Sequence, residues 1–219
     1  MLKILFQGDS VTDCGRDRSF TQPAAEFGYG YVNLIASKLL YEYPDVKVYN
    51  RAVSGNRIVD MYSRWIEDML NIDCDILSVL CGINDVGFGL RMNMGADTEK
   101  FKFVYDIMLK EAKEKNPDLK LVLCEPFLMK ITENTPEAGK DIVENWELWS
   151  STLLERRQVI KELADKYNGI FVPFAEKFEE ALKKAPAQHW SADCIHVTNA
   201  GHELMARTWL EYVRPEKMI

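Results

Sequence analysis

The chain has 219 residues, of which 47% are apolar and 28% are charged, and its formal net charge at pH 7 is −7. This composition is typical of a globular protein, and we expect one domain over residues 1–219. The negative charge argues against nucleic acid or an anionic membrane as a partner. The apolar runs fall short of the roughly 18 residues that a membrane-spanning helix needs, so no membrane span is expected.

The five cysteines form no C-x-x-C pair, and their odd number argues against a closed disulfide framework. Reduced thiols are typical of intracellular proteins. The chain also starts on a strand-like pattern and not on a charged segment followed by an apolar signal region. We therefore expect a cytoplasmic protein.

Five short apolar runs alternate with helix-like segments along the chain. The runs are rich in Val, Ile and Leu and lack clean alternation, as expected for strands that are buried on both faces. A parallel crossover needs a dozen or more residues, and a helix is the usual solution. The pattern predicts an α/β fold, a three-layer α/β/α sandwich around a five-stranded parallel sheet. The predicted strands are Leu2–Gln7, Val46–Ala52, Asp75–Cys81, Leu119–Cys124 and Gly169–Val172.

The clearest helical spacing lies in residues 144–167, where apolar side chains mark one stripe that Arg156 interrupts. In parallel sheets, functional sites form at the carboxyl ends of the strands. Two long segments follow predicted strands, Val86–Thr98 and Phe127–Asp141. We expect both segments to contribute to the rim of a pocket.

Polar or glycine-containing tips follow the first three predicted strands, at Gly8–Ser10, Ser54–Asn56 and Gly82–Asp85. We expect the three tips to converge on one edge of the sheet. A fourth piece, from Asp193 to His196, precedes the last helix. A carboxylate three residues before an imidazole can fold back to accept its Nδ1 proton, which leaves Nε2 free to face a serine. A serine hydroxyl needs such a base to become a useful nucleophile.

These pieces resemble, in order, the four sequence blocks of the GDSL, or SGNH, hydrolases. The blocks read G-D-S at 8–10, N-R-A-V-S-G-N at 50–56, G-I-N-D at 82–85 and D-x-x-H at 193–196. The resemblance spans nearly the whole chain and implies the flavodoxin-like fold of that superfamily. The wider stretches G-D-S-V-T-D-C-G-R, S-R-W-I-E-D and G-I-N-D-V are similar to the branch that contains acetylxylan esterases.

The resemblance implies a role for each matching position. Ser10 becomes the nucleophile, His196 the general base and then acid, and Asp193 the group that orients the imidazole. The oxyanion hole would consist of the backbone N–H groups of Ser10 and Gly55 and the side-chain amide of Asn84. A glycine lets the backbone approach a ligand closely, and an amide is a neutral donor. No cofactor and no metal ion is implied.

Two positions depart from the family pattern. The leucine of the first block is Val11 here, and the proline that often follows the histidine is Val197. Without that proline the loop that enters the last helix is less constrained. We expect Thr198 or Asn199 to cap the helix.

Neighbouring polar residues have simpler interpretations. Asp9 is expected to hold its turn by accepting hydrogen bonds from backbone N–H groups, and Asp85 to support the loop that aims Asn84. His202 lies in the first turn of the last helix, where a neutral surface histidine is expected. His189 is either a polar surface residue or part of the pocket rim.

Two residues near the D-x-x-H block have a functional and a structural interpretation. Cys194 lies inside the block, but adjacent side chains in an extended loop diverge, so a thiol nucleophile is not expected. Trp190 lies three residues before Asp193 and could wall the site or stack on a sugar face. Its alternative is a core or interface position, as is common for tryptophan.

We therefore expect a serine esterase that works through an acyl-enzyme. The resemblance alone implies that the acyl group is acetyl and that the alcohol is a sugar hydroxyl, as in acetylated xylo-oligosaccharides. A lysophospholipase or thioesterase for longer acyl chains stays an alternative and would need an apolar trench beside Ser10. A third hypothesis is an inactive carbohydrate-binding module on an esterase scaffold. The expected partner is a small-molecule or oligosaccharide ester, and a homo-oligomer stays open.

Overall fold

A computed structural model of the protein describes residues 1–19 and 21–217, without the side chains of Ala24 and Glu216. Five strands form one parallel sheet, and each begins and ends within two residues of its prediction. The strands are β1 (Lys3–Gly8), β2 (Lys47–Asn50), β3 (Ile76–Leu80), β4 (Lys120–Cys124) and β5 (Ile170–Val172). Their order, β2-β1-β3-β4-β5, is that of flavodoxin-like doubly wound sheets. The predicted five-stranded parallel sheet is confirmed.

Ten α-helices lie in the described residues: α1 (Ser10–Asp13), α2 (Tyr31–Glu42), α3 (Ile58–Ser63), α4 (Ile83–Met92), α5 (Thr98–Lys115), α6 (Glu137–Glu144), α7 (Trp146–Lys166), α8 (Phe174–Leu182), α9 (Ala187–Trp190) and α10 (Asn199–Val213). Short 3₁₀ segments occur at Pro23–Ala25 and Pro215–Lys217, and a π-helical segment at Ile66–Leu70. Within the described ranges, every helix is too short or too polar to cross a bilayer.

Helices cover both faces of the sheet, because side chains along each strand point alternately to opposite sides. Along β1, Ile4 and Phe6 belong to the core cluster that α2, α8 and α10 complete, and Phe6 lies 5.1 Å from Trp209 between ring centroids. Leu5 belongs to the second cluster, which α3, α5 and α7 complete. Burial on both faces explains why the strands read as nearly continuous apolar runs.

The segment Val86–Thr98, which was expected to contribute to the rim of a pocket, is helical over its first half. Helix α4 contains it as far as Met92, and Gly87 is a helical residue against which Trp149 of α7 packs. A Cβ atom at position 87 would lie 3.1 Å from the indole ring, so this close packing outweighs the low helix propensity of glycine. Only residues 93–97 and 127–136 of the two expected rim segments are irregular.

Arg156 is a charged residue within the apolar stripe of α7, but it is buried like the apolar residues of that stripe. The side chain is buried, and its guanidinium donates to the carbonyl of Ala96 at 2.8 Å and to the hydroxyl of Thr98. It also lies over the ring of Phe101, 5.9 Å from the centroid. A buried charge is costly unless such partners surround it, so this side chain joins α7 to the start of α5.

Candidate active site

The carboxyl ends of β1, β2 and β3 meet at one edge of the sheet, and hydrogen bonds join the loops that follow them. The N–H of Val53 donates to the carbonyl of Gly8 at 3.1 Å. The side-chain amide of Asn84 donates to the carbonyl of Asn56 at 3.1 Å. The three polar tips are therefore neighbours, as the strand pattern predicted.

Ser10, His196 and Asp193 form one hydrogen-bonded chain at this edge. The Oγ atom of Ser10, at the start of α1, lies 2.8 Å from Nε2 of His196, although 186 residues separate the two. The Nδ1 atom of the same imidazole lies 2.7 Å from Oδ2 of Asp193. A neutral ring that donates its Nδ1 proton to the carboxylate has Nε2 free to accept a proton from the serine.

The loop between Asp193 and His196 folds back on itself. The Oδ1 atom of Asp193 accepts the N–H of Ile195 at 3.1 Å and the N–H of His196 at 2.7 Å. Between them, Cys194 has a φ of 78°, in the left-handed region that residues other than glycine rarely adopt. This turn allows one carboxylate to hold both the backbone and the side chain of the histidine.

The backbone of the loop is held at Val197, where the family often has a proline, by contacts on either side of it. Ser191 and Val197 form an isolated antiparallel bridge, and the N–H of Ala192 donates to the carbonyl of His196 at 2.7 Å. Thr198 caps α10 by accepting the N–H of Gly201 at 3.3 Å. The expected cap at Thr198 or Asn199 is thus formed by Thr198.

The contact between Asp193 and His196 changes the pKa of both side chains. The hydrogen bond with Asp193 raises the pKa of His196 above its ordinary value, and the charges of Asp193 and Asp9 act in the same direction. Burial alone would raise the pKa of Asp193, but the hydrogen bonds from the His196 side chain and N–H groups outweigh it and hold this pKa below its usual range. Asp193 therefore stays ionised while the imidazole titrates.

The turn from Val53 to Asn56 determines where the N–H of Gly55 points. The N–H of Asn56 donates to the carbonyl of Val53 at 3.1 Å, and Gly55 has a φ of 82°, the combination found in a type II turn. Glycine adopts this φ without strain. In the described part of the chain, the N–H groups of Gly55 and of Ser10 donate no hydrogen bond. Both are free to bind an anion.

Asp13, which the sequence analysis did not single out, connects this turn to α1. Its buried carboxylate accepts the N–H of Ser54 at 2.7 Å and the N–H of Arg16 at 3.3 Å, and it pairs with the guanidinium of Arg18. The Nε–H of Arg16 donates to the carbonyl of Ala52 at 2.8 Å. Because Asp13 lies one helical turn after Ser10, it fixes the Val53–Ser54 peptide, which directly precedes the Gly55 N–H, relative to the helix that carries Ser10.

Asp9 and Asp85 are buried carboxylates beside the site. Asp9 accepts the N–H of Val11 at 3.1 Å and so holds its turn, as predicted. Asp85 accepts the N–H of Ile58 at 3.0 Å, so it supports the start of α3 beyond the Gly55 turn. Burial raises the pKa of Asp9 to about 6 and that of Asp85 to about 7.

His202 is not the surface residue that the sequence suggested. It lies in the first turn of α10 but is 5% exposed, with Nδ1 accepting the N–H of Tyr31 at 3.2 Å and Nε2 lying 3.3 Å from Sγ of Cys14. Burial, together with the charge of His196, lowers its pKa to about 4, so the ring is neutral as expected. The partners that bury it lie about 170 or more residues away in sequence and carry no local signal.

Two cavities lie at this edge of the sheet, and Ser10 and His196 line one of them. A cleft of about 250 Å³ is lined by Ser10, His196, Cys14, Tyr29, Ser54 and His202. A recess of about 10 Å³ is lined by Asp9, Val11, Leu80, Ile83, Pro126, Phe127 and Ile195. Ser10, Asn84 and His196 do not line the recess, but four of its residues, Asp9, Val11, Ile83 and Ile195, adjoin them in sequence. This edge of the sheet therefore carries a polar cleft and a very small recess that is apolar apart from Asp9.

The remaining predicted residues lie outside the cleft. Trp190 is half-buried, and its indole N–H donates to the carbonyl of Ala185 at 3.2 Å. His189 is exposed and packs edge-on against that indole. Cys194 is fully buried, which fits the expectation that its thiol is not a nucleophile. A substrate-binding role for Trp190 stays a prediction. Among the described residues, no three His, Cys, Asp or Glu side chains cluster in a way that could hold a metal ion.

Comparisons with known proteins agree with this fold. The family model described as the GDSL-like lipase/acylhydrolase family matches residues 6–204. The chain is 30% identical over 216 residues to an acetylxylan esterase of Geobacillus stearothermophilus, a match that covers 96% of this chain and 93% of that protein. The chain therefore belongs to the GDSL-like lipase/acylhydrolase family, as the sequence blocks predicted. It is a carboxylic ester hydrolase, and it is similar to an acetylxylan esterase.

Solved structures give the same result. A protein classed with the GDSL-like lipases, from Parabacteroides merdae, superposes with a TM-score of 0.88 at 37% identity, over 97% of this chain and 95% of that one. An acetylxylan esterase from Geobacillus stearothermophilus superposes with a TM-score of 0.81 at 29% identity, over 97% and 94%. Two structures of that esterase replace an aspartate, or a histidine three positions later, by alanine, and both are described as catalytic mutants.

The buried carboxylate of Asp9 should make stability depend on pH. As pH falls from about 6 to about 4, the folded protein binds a proton on Asp9 before the unfolded chain does, so the parent gains stability relative to Asp9→Asn. We expect the difference in unfolding free energy between the parent and Asp9→Asn to change by up to about 3 kcal/mol over this pH range. Urea denaturation at several pH values measures it. Asp45→Asn, at an exposed position, is the control, and a pH-independent difference for Asp9→Asn would contradict the burial argument.

Proposed function

We propose that the protein is a serine esterase that removes acetyl groups from carbohydrate esters, such as acetylated xylo-oligosaccharides, through an acyl-enzyme. The single observation that carries the mechanism is the continuous hydrogen-bonded chain from Ser10 through His196 to Asp193. The aspartate and histidine of the Geobacillus enzyme's catalytic mutants have the same spacing as Asp193 and His196, which supports their assignment here.

The reaction starts when the ester carbonyl carbon lies beside Oγ of Ser10. His196 accepts the hydroxyl proton at Nε2 as Oγ attacks, and the imidazolium that forms is stabilised by the ionised Asp193. The same proton then passes from Nε2 to the leaving alcohol. Water, activated by the neutral imidazole, attacks the acyl-enzyme, and the acid leaves with the serine hydroxyl restored.

The negative charge of the tetrahedral intermediates needs donors that do not titrate. The free N–H groups of Ser10 and Gly55 and the second hydrogen of the Asn84 amide supply three. The type II turn and Asp13 hold the Gly55 donor in place before the substrate binds, so little reorganisation accompanies charge development. Removal of one donor of this kind typically costs about 10²- to 10³-fold in turnover.

The size of the two cavities favours a short acyl group. The recess of about 10 Å³ has room for about one water-sized group, which suits the methyl of an acetyl ester but not a longer chain. The cleft of about 250 Å³ that contains Ser10 and His196 would hold the alcohol. Lysophospholipase or thioesterase activity on long acyl chains would need an open apolar trench, which the recess does not offer. An inactive binding module would have no need of the complete hydrogen-bonded chain.

Replacement of the serine tests the mechanism. Ser10→Ala should lower ester hydrolysis about 10⁵- to 10⁶-fold, since the nucleophile is lost, while the free energy of unfolding changes by less than about 1 kcal/mol. The assay is acetate release from acetylated xylo-oligosaccharides, acetylated pectin fragments and simple acetyl sugars. Ser151→Ala, at an exposed position on α7, is the matched control. Full activity of Ser10→Ala, or of His196→Ala, would refute the assignment.

The pH profile tests the base. His196 must be neutral to accept a proton, and Asp193 raises its pKa, so kcat/KM should fall as pH drops through a value above 6.5. Asp193→Asn should lower activity by about 10⁴-fold and move the remaining acid limb to lower pH, because the carboxylate that raises the imidazole pKa is gone. Nitrophenyl acetate hydrolysis measures both. A parent profile that stays flat down to about pH 4.5 is incompatible with this role for the histidine.

Chain-length preference tests the recess. Each methylene beyond acetyl should lower kcat/KM by about 10- to 200-fold in the parent, because the recess has no room for it. Val11→Ala should reduce the preference for nitrophenyl acetate over the butyrate ester, since it enlarges the recess. Val159→Ala is a matched control, because both valines are 5% exposed and Val159 lies in the core away from the recess. A parent that prefers the octanoate ester would end the acetyl hypothesis.

A further inference from the structure

Tyr29 projects from the wall of the cleft that contains Ser10 and His196. Its side chain is 70% exposed. An exposed aromatic side chain on a protein surface needs no special explanation by itself. The position of Tyr29 in the cleft, and the way in which its ring is held there, distinguish it from other exposed aromatic residues.

The ring of Tyr29 lies directly against the backbone of Gly15. A Cβ atom built on Gly15 would be 2.6 Å from Cε1 of the tyrosine, so any side chain at position 15 would displace the ring. Gly15 also has a φ of 72°, which favours glycine. The ring therefore lies against the backbone of Gly15 on one side, and the Tyr29 side chain also hydrogen-bonds with Cys14.

The backbone of Tyr29 is also held in place by its neighbours. Its N–H donates to the carbonyl of Cys14 at 3.0 Å. The preceding Gly28 has a φ of 76°, and a Cβ there would lie 2.5 Å from the carbonyl oxygen of Asp13. The turn that carries the tyrosine thus packs on the segment that directly follows α1, so the backbone of Tyr29 keeps a fixed place relative to Ser10.

Apart from the imidazole of His196, the rest of the cleft lining is uncharged and combines polar groups with the apolar side chains of Val11 and Val197. Ser54 supplies a hydroxyl, and the buried pair of Cys14 and neutral His202 forms part of the lining. No carboxylate, ammonium or guanidinium group is among the residues that line it. Such a lining suits a neutral, hydroxyl-rich ligand better than an anionic or cationic one.

We propose that Tyr29, seated on Gly15, is a stacking platform for the sugar ring that carries the acyl group. A pyranose presents C–H groups on its faces and hydroxyls at its edge, and the electron-rich face of an aromatic ring attracts the C–H groups. A cleft of about 250 Å³ is slightly smaller than the sites that hold drug-sized ligands, as expected for a single ring. This proposal rests on the proposed function and identifies the residue that binds its alcohol portion.

A binding experiment tests the platform without turnover. Ser10→Ala and the double variant Ser10→Ala/Tyr29→Ala are titrated with acetylated xylobiose by calorimetry. Loss of the ring should weaken binding by about tenfold, and Tyr29→Phe in the same background should restore it, because the aromatic face is retained. Equal affinity with and without the Tyr29 ring would overturn the platform, whether or not the parent hydrolyses the ester.

A kinetic comparison separates binding from general support of the site. The ratio of kcat/KM for acetylated xylobiose to that for ethyl acetate should fall by about tenfold in Tyr29→Ala, mainly through KM, since ethyl acetate has no ring to stack. Tyr41→Ala is the matched control, because Tyr41 is 89% exposed and lies outside the cleft. An unchanged ratio would show that Tyr29 only supports the structure. A parent without activity on acetyl sugars would refute the carbohydrate substrate but leave the binding result to decide on the platform.

Discussion

The reactive edge depends on one constraint, the parallel direction of three adjacent strands with β1 in the middle. Because β2, β1 and β3 all end at the same edge, their loops can be joined by short hydrogen bonds, from Val53 to Gly8 and from Asn84 to Asn56. The loop before α10 then needs only to cross this edge to bring His196 to Ser10. If β1 ran the other way, its serine would lie at the far end of the sheet, and the remaining polar groups would have no nucleophile to support.

Three carboxylates at this edge are in different electrostatic environments. Asp193 accepts hydrogen bonds from a side chain and two N–H groups, and these keep its pKa low. For Asp9 and Asp85 burial outweighs their few donors, and their pKa values rise to about 6 and about 7. Hydrogen bonding to the charged form and desolvation thus act in opposite directions over a short distance. Burial of these two carboxylates lowers the stability of the folded state at neutral pH. In return, Asp9 holds the turn at Ser10 and Asp85 holds the start of α3.

Local patterns in the sequence predicted the strands, the helix α7 and the four polar blocks, because strand burial and strand-end chemistry leave signals within a few residues. What escaped prediction depends on partners far away in the chain. Gly87 is helical because Trp149 packs on it, and His202 is buried because Cys14 and Tyr31 cover it. The supporting role of Asp13 was also invisible, since it requires knowing that Ser54 folds back onto α1. The fold and the convergence of the polar blocks were therefore predictable, whereas the residues that position these blocks were not.

The hydrogen bond from Ser54 to Asp13 joins the helix that carries Ser10 to the turn that carries Gly55, so that the two behave as one rigid unit. A substitution that shifts α1 should therefore move the Ser10 hydroxyl and the Gly55 turn together relative to His196, which belongs to a separate loop. Redesign of this hydrolase for bulkier acyl groups should therefore begin at Phe127 and Ile83, which approach the recess from outside that unit. The chemistry can then stay in place while the selectivity changes.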